Sequence, residues 1–230
     1  MRKWIVPTFA FGLLLAVGGC SHANKEAATI DQQWLARVPP DQLGAVDQAR
    51  AAERQAEDQQ NRAQAALTDA NNSLDVAKAE QDTASARVDA AEAQVKKARD
   101  TGDANIIQQA TAAQEQAKAA KEAADARVDY AEAQVKAAET QRDWAKAQVT
   151  ERKSEVTLAE YDALQANGDT RVQNMHRSEF EARVRQDQAN VAKLQDQYQQ
   201  QQQEVASARQ KWNQAKSNVQ AAEPSSSPTG

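Results

Sequence analysis

An alanine stands at every seventh position from Ala49 to Ala98, without a miss, and that period constrains the fold of this chain more than any other feature. The column runs Ala49, Ala56, Ala63, Ala70, Ala77, Ala84, Ala91 and Ala98. Three residues before each stands a second column: Val46, Glu53, Gln60, Leu67, Leu74, Gln81, Val88 and Val95. Steps of three and four put both columns on one narrow stripe of an α-helix, the a/d seam of a coiled coil. A seven-residue repeat on a 3.6-residue helix implies a left-handed supercoil.

Two interruptions follow, DTGDAN at 100–105 and NGDT at 167–170. Each joins Gly to Asp or Asn, residues that end one helix in a left-handed turn and cap the next. The stretches they leave, about 41–99, 104–166 and 170–221, would each extend roughly 75 to 95 Å at the helical rise. The second stretch repeats the design, with Ile107, Gln114, Lys121, Val128, Val135, Arg142, Val149 and Val156 in one column. Its companion column is Ala110, Ala117, Ala124, Ala131, Ala138, Ala145, Arg152 and Ala159. The third carries Val184, Val191, Tyr198, Val205, Trp212 and Val219, with Phe180, Leu194, Ala208 and Ala215 beside them. ARVDAAEAQVKKA at 86–98 and ARVDYAEAQVKAA at 126–138 are near-copies, which marks an internal duplication feeding successive helices.

A hairpin turning at Gly102 places Val95 against Ala110, Val88 against Ala117, Leu74 against Ala131 and Leu67 against Ala138. In the other sense Ala77 meets Val128, Ala70 meets Val135, Ala56 meets Val149 and Ala49 meets Val156. A large side chain then faces a small one in layer after layer, which fills the seam at constant helix separation. Arg152, the break in the second alanine column, falls opposite Glu53. A second turn at Gly168 sets Tyr198 against Ala138, Val205 against Ala131, Trp212 against Ala124 and Val219 against Ala117, giving three-helix layers such as Leu67, Ala138 and Tyr198. The expected fold class is all-α: a long antiparallel coiled coil, a three-helix bundle over residues 41–222 with turns near Gly102 and Gly168, and a disordered tail at 223–230.

Composition agrees with so thin a fold. Hydrophobic residues make up 40% of the chain but aromatics only 4%, so little area is buried per layer and stability accumulates along the length. Polar residues enter the seams at Gln60, Gln81, Gln114, Lys121, Arg142, Asp187 and Gln201. Their stems can lie in the seam with the heads in water, and polar layers can fix register. A net charge of −5 with mixed signs and no basic patch argues against a nucleic-acid partner.

The first twenty residues, MRKWIVPTFAFGLLLAVGGC, set two bases before a short apolar run and then small residues. This is signal-peptide layout, and the run is too short to span a bilayer. Val17, Gly18, Gly19 and Cys20 resemble the lipobox of bacterial lipoproteins. The resemblance implies cleavage before Cys20, a diacylglycerol on its thiol and acylation of the new N-terminus, with multiple chains giving firm membrane anchoring. It also accounts for the chain's one cysteine. Ser21 after the cysteine, where Asp would favour inner-membrane retention, implies by the same resemblance the outer membrane, facing the periplasm. The organisation read from these features is a signal peptide at 1–19, a lipidated N-terminus and tether at 20–40, then the helical region. Trp34 and Leu35 either pack on the base of the bundle or on the membrane surface, or sit in a solvated linker with Pro39 and Pro40.

No catalytic constellation stands out. His22 and His176 have no second His or Cys spaced to share a metal, and there is no phosphate loop, nucleophile elbow or HExxH. Neither an enzyme, a cofactor nor a small-molecule substrate is expected. The glutamine run at 199–203 reads as a solvated helix face. Trp144 and Tyr130 are either partner contacts or packing against a neighbouring helix. The lipobox and alanine-bearing heptads resemble Braun-type murein lipoprotein in general design, which implies a structural or scaffolding element of the cell envelope. The chain ends in Pro228, Thr229 and Gly230 rather than the lysine that family joins to peptidoglycan, so covalent wall attachment is not implied. Segments such as AEAQVKAAE also resemble the helical hairpins of periplasmic efflux adaptors, implying an adaptor that binds an envelope partner, though those proteins carry strand-rich domains and this sequence has no strand-rich stretch. A holdase with an opened groove is a third reading. Self-association through the heptads is compatible with each.

Overall fold

The computed structural model describes residues 30–222. The segment expected to be a signal peptide at 1–19, the expected lipidation site Cys20, His22 and the expected tail at 223–230 lie outside the described residues. Within them the fold is wholly helical, without strands. Four α-helices pack together: α1 (Gln32–Leu35), α2 (Gly44–Thr101), α3 (Ala104–Ala166) and α4 (Arg177–Ala222), with 3₁₀ turns at Pro40–Gln42 and Thr170–Val172. The helical rise makes α2, α3 and α4 about 87, 95 and 69 Å long.

The first turn forms where Gly and Asp stand together. Gly102 adopts φ 69°, a left-handed conformation that glycine tolerates without a Cβ clash. Asp103 then caps α3, its carboxylate accepting from the backbone N–H of Asn105 at 2.8 Å and of Ile106 at 3.3 Å. Helix α2 returns along α3 in the opposite sense. Arg50 meets Glu160 at 2.9 Å, Lys153 meets Glu57 at 3.8 Å and Gln81 donates to Asp125 at 2.9 Å, the α3 number falling as the α2 number rises. The buried alanines of α2 are Ala56, Ala63, Ala77, Ala84, Ala91 and Ala98, all from the seven-residue column. Ala77, Val128 and Ala131 form one buried cluster with Leu74 against it, residues the hairpin register had brought together. Arg152 departs from expectation: it pairs with Glu155 on its own helix at 2.6 Å, not with Glu53.

The second connection is longer than the tight turn expected. Gly168 is left-handed at φ 71°, but α4 starts at Arg177 rather than near 170. Between them Asp169 caps the 3₁₀ turn, accepting from Arg171 N–H at 3.0 Å, and Val172 is buried. The added residues slide α4 along α3. Tyr198 stacks on Trp144 at 5.8 Å and Trp212 on Tyr130 at 5.4 Å, not against Ala138 and Ala124. Each partner is six positions further along α3 than expected, so the layer of Leu67, Ala138 and Tyr198 does not form.

Helix α3 consequently carries two seams rather than one. Towards α2 it presents the valine and alanine columns. Towards α4 it presents Tyr130, Ala137, Trp144 and Glu151, with Ala147 and Ser154 beside them. At 100° per residue these seams lie ~160° apart around the helix, which sets α2 and α4 on nearly opposite flanks of α3.

The large side chains concentrate at one end. Leu35, Val38, Val46, Tyr161, Ala163, Leu164, Val172 and Phe180 form a buried cluster where α2 begins, α3 ends and α4 begins. Leu164 is 0% exposed and Val46 1%. Residues 30–43 close this base, with Ile30, Trp34 and Leu43 packed on the cluster.

Candidate functional site

Three regions along the rod differ in chemistry: the base, a polar belt above it, and the far end. At the base, α1 is started by Asp31, whose carboxylate accepts from Gln33 N–H at 2.9 Å. This turn lays Trp34 beside Arg171, whose guanidinium sits 5.0 Å from the indole centroid. Bonds donated by the Arg171 side chain, and then by its backbone N–H, hold the Asp169 carboxyl down at about 2 against the opposing effect of burial. Asn167 donates to Arg37 O at 3.4 Å and Tyr161 Oη to Met175 O at 3.2 Å, binding the N-terminal segment and the α3–α4 connection to one core. Of the placements open to Trp34 and Leu35, packing on the base is the one observed, so residues 30–40 do not form a free tether.

The polar belt lies between α3 and α4. Ser154, 4% exposed, donates to Asp187 at 2.5 Å, and Glu151 is buried nearby. Burial pushes the Glu151 carboxyl up; the Arg152 charge opposes this and the Glu155 and Asp187 charges reinforce it. Nearer the middle, on the α2 side of α3, burial is the largest single influence on Asp125 and pushes its carboxyl up, but the bonds from Lys121 and Gln81 together with the Lys121 charge outweigh it and hold the group below the usual carboxylate range. The Ser154–Asp187 bond therefore bears on helix register, since a polar atom in a dry seam stabilises only the alignment that supplies its partner.

At the far end α2 and α3 outrun α4. With Trp212 beside Tyr130, Ala222 comes level with about Ala120, so the last ~25 Å of the described hairpin has two helices rather than three. Ile106 is 45% exposed there. Just below, the end of α4 and the middle turns of α2 and α3 line an open cleft of about 580 Å³ with Trp212 in its wall.

Trp144 and Tyr130 both pack on α4, so of their two readings the internal one holds. The second seam of α3 is the feature missed by reading one column per helix. Its signal was present: Ala126, Ala133, Thr140, Ala147 and Ser154 recur every seventh residue, two positions out of phase with Val128. Gln199, Gln200, Gln202 and Gln203 are exposed, with Gln201 half-buried. His176 is exposed before α4, and among the described residues no group of three or more His, Cys, Asp or Glu side chains is placed to hold a metal. No described helix is long and apolar enough to cross a membrane. Compared with known protein families, curated proteins and solved structures, the chain finds no significant match.

Proposed function

We propose that this protein is a lipid-anchored, non-catalytic rod that acts as a structural or scaffolding element of a bacterial cell envelope, its three long helices wound as an antiparallel coiled coil. The anchor is Cys20, acylated after removal of residues 1–19, and the membrane is the outer membrane on its periplasmic face. The observation that carries the reading is the locked base. Residues 30–43 are built into the core at one end, so only the nine residues at 21–29 separate that core from Cys20, a span of at most ~35 Å. The membrane then holds the base, and the hairpin at Gly102 projects ~90 Å from it.

Energy transfer tests the polarity. Donors at Gln173→Cys near the base and Asn105→Cys at the far end are compared, with acceptor dyes in the headgroups of the membrane carrying the lipidated protein. Strong transfer from 173 and little from 105 is expected; equal transfer would overturn an upright rod. Incorporation of labelled fatty acid should vanish in Cys20→Ser, and labelling that persists would sink the anchor.

A second reading, an adaptor that docks an envelope partner, is favoured by the two-helix end with exposed Ile106. In-cell photocross-linking from Ile106 separates the two: capture of one defined protein favours the adaptor, and capture of none favours the scaffold.

A further inference from the structure

The cleft below the two-helix end differs from the rest of the rod in charge. At about 580 Å³ it falls within the ~300–1,000 Å³ of small-molecule sites. Its floor is alanine, with Ala84 from α2 and Ala120, Ala123 and Ala124 from α3, and Val219 closes the α4 side. Small side chains on α2 and α3 leave the space open beside the wall that Trp212 of α4 supplies.

The rim is basic in a chain whose net charge is −5. Arg87, Arg127 and Lys216 line it against a single acid, Glu80. Arg127 is already paired with Glu80. Lys216 stands 5.0 Å from the Trp212 ring centroid, and Arg87 has no ion-pair partner among the described residues. Trp212 is itself held by stacking on Tyr130 at 5.4 Å, which fixes one wall of the cleft. Two cations without carboxylates above an apolar floor match a ligand that has an anionic head and a short hydrocarbon body.

We propose that this cleft binds an amphiphilic anion, a phosphate or carboxylate bearing an acyl-sized apolar group. Arg87 and Lys216 take the head by charge-assisted hydrogen bonds, and the chain lies along Ala84, Ala120 and Ala124. The site is about 60 Å from the base by the helical rise. A membrane in contact with the base therefore does not fill it, and its ligand arrives free or carried by another molecule.

The test is photolabelling of the purified full chain with a diazirine-bearing octyl phosphate, with adducts mapped by mass spectrometry. Saturable adducts confined to 80–87, 120–127 and 212–220 are expected, competed by octyl phosphate but not by octyl glucoside or inorganic phosphate. Arg87→Glu with Lys216→Glu should lower labelling about tenfold or more, the worth of lost charge-assisted bonds. The milder Arg87→Gln with Lys216→Gln should do so in the same direction, with helical melting unchanged in either. Arg54→Glu with Lys193→Glu, at exposed sites elsewhere, should leave labelling intact. Labelling spread evenly along the rod, equal competition by octyl glucoside or by inorganic phosphate, or full labelling of a melted-as-native Gln variant would each overturn the site.

Discussion

The base and the shaft of this molecule solve the same problem with opposite materials. At the base, Leu35, Leu164, Tyr161, Phe180 and Val172 converge from four segments into one core. Along the shaft, alanines such as Ala63, Ala77 and Ala91 let two helices approach closely, and each layer buries little. Burial is worth ~25 cal/mol per Å², so one base leucine contributes about twice as much as one shaft alanine. A dense core at one end fixes how the helices enter; a repetitive seam then carries that alignment over distance. The base sets register and the shaft sets length.

Truncating the base should cost most. Leu164→Ala, at a position 0% exposed, is expected to lose ~2–5 kcal/mol in denaturant melts. If it costs no more than a shaft substitution, the contrast fails. Overfilling the shaft comes next. Ala77 is also 0% exposed, and Ala77→Leu should lose ~1–3 kcal/mol because the helices cannot move apart in one layer alone. A neutral or stabilising result would mean that the seam is looser than its burial implies.

Gly102→Ala should cost about 1 kcal/mol through its left-handed φ of 69°, since no atom crowds the added Cβ. Hydrogen exchange should quicken at the far end and stay unchanged at the base. A base that loosens equally would show the rod melting as a single unit.

The smallest effect is the most specific. Burial lifts the Glu151 carboxyl above its ordinary value, so the folded state holds that proton more tightly than the unfolded one. This contribution is fully present in acid and is lost as pH rises through the raised value. Glu151→Gln should therefore raise the melting temperature slightly at pH 7 and leave it unchanged in acid, below the ordinary carboxylate range. A gain of equal size at both pH values would place the effect in packing rather than charge.

Much of the shaft was legible from residue order. The seven-residue alanine column marked the buried stripe of α2, and the Gly–Asp step at Gly102 and Asp103 marked its turn within two residues, because heptad spacing and helix capping are local properties. Gly168 marked the end of α3 equally well. It did not mark the start of α4, because Val172 and Met175 are drawn into the base core and hold residues 167–176 out of the helix. That displacement, set by contacts with residues more than a hundred positions earlier, moved Tyr198 onto Trp144. The candidate sites divide in the same way. Cys20 is read from its neighbours in the chain, whereas the cleft of Arg87, Arg127 and Lys216 exists only because three distant segments lie side by side.

Residue order alone thus decided that this chain is helical, where its helices break and which stripe each would bury, since these follow from a period of seven and from two capped glycines. Tertiary packing decided how far α4 slides along α3, that α3 serves two partners on opposite flanks, and that residues 30–43 belong to the base. Those outcomes depend on which large side chains share one core, and sequence separation carries no measure of that.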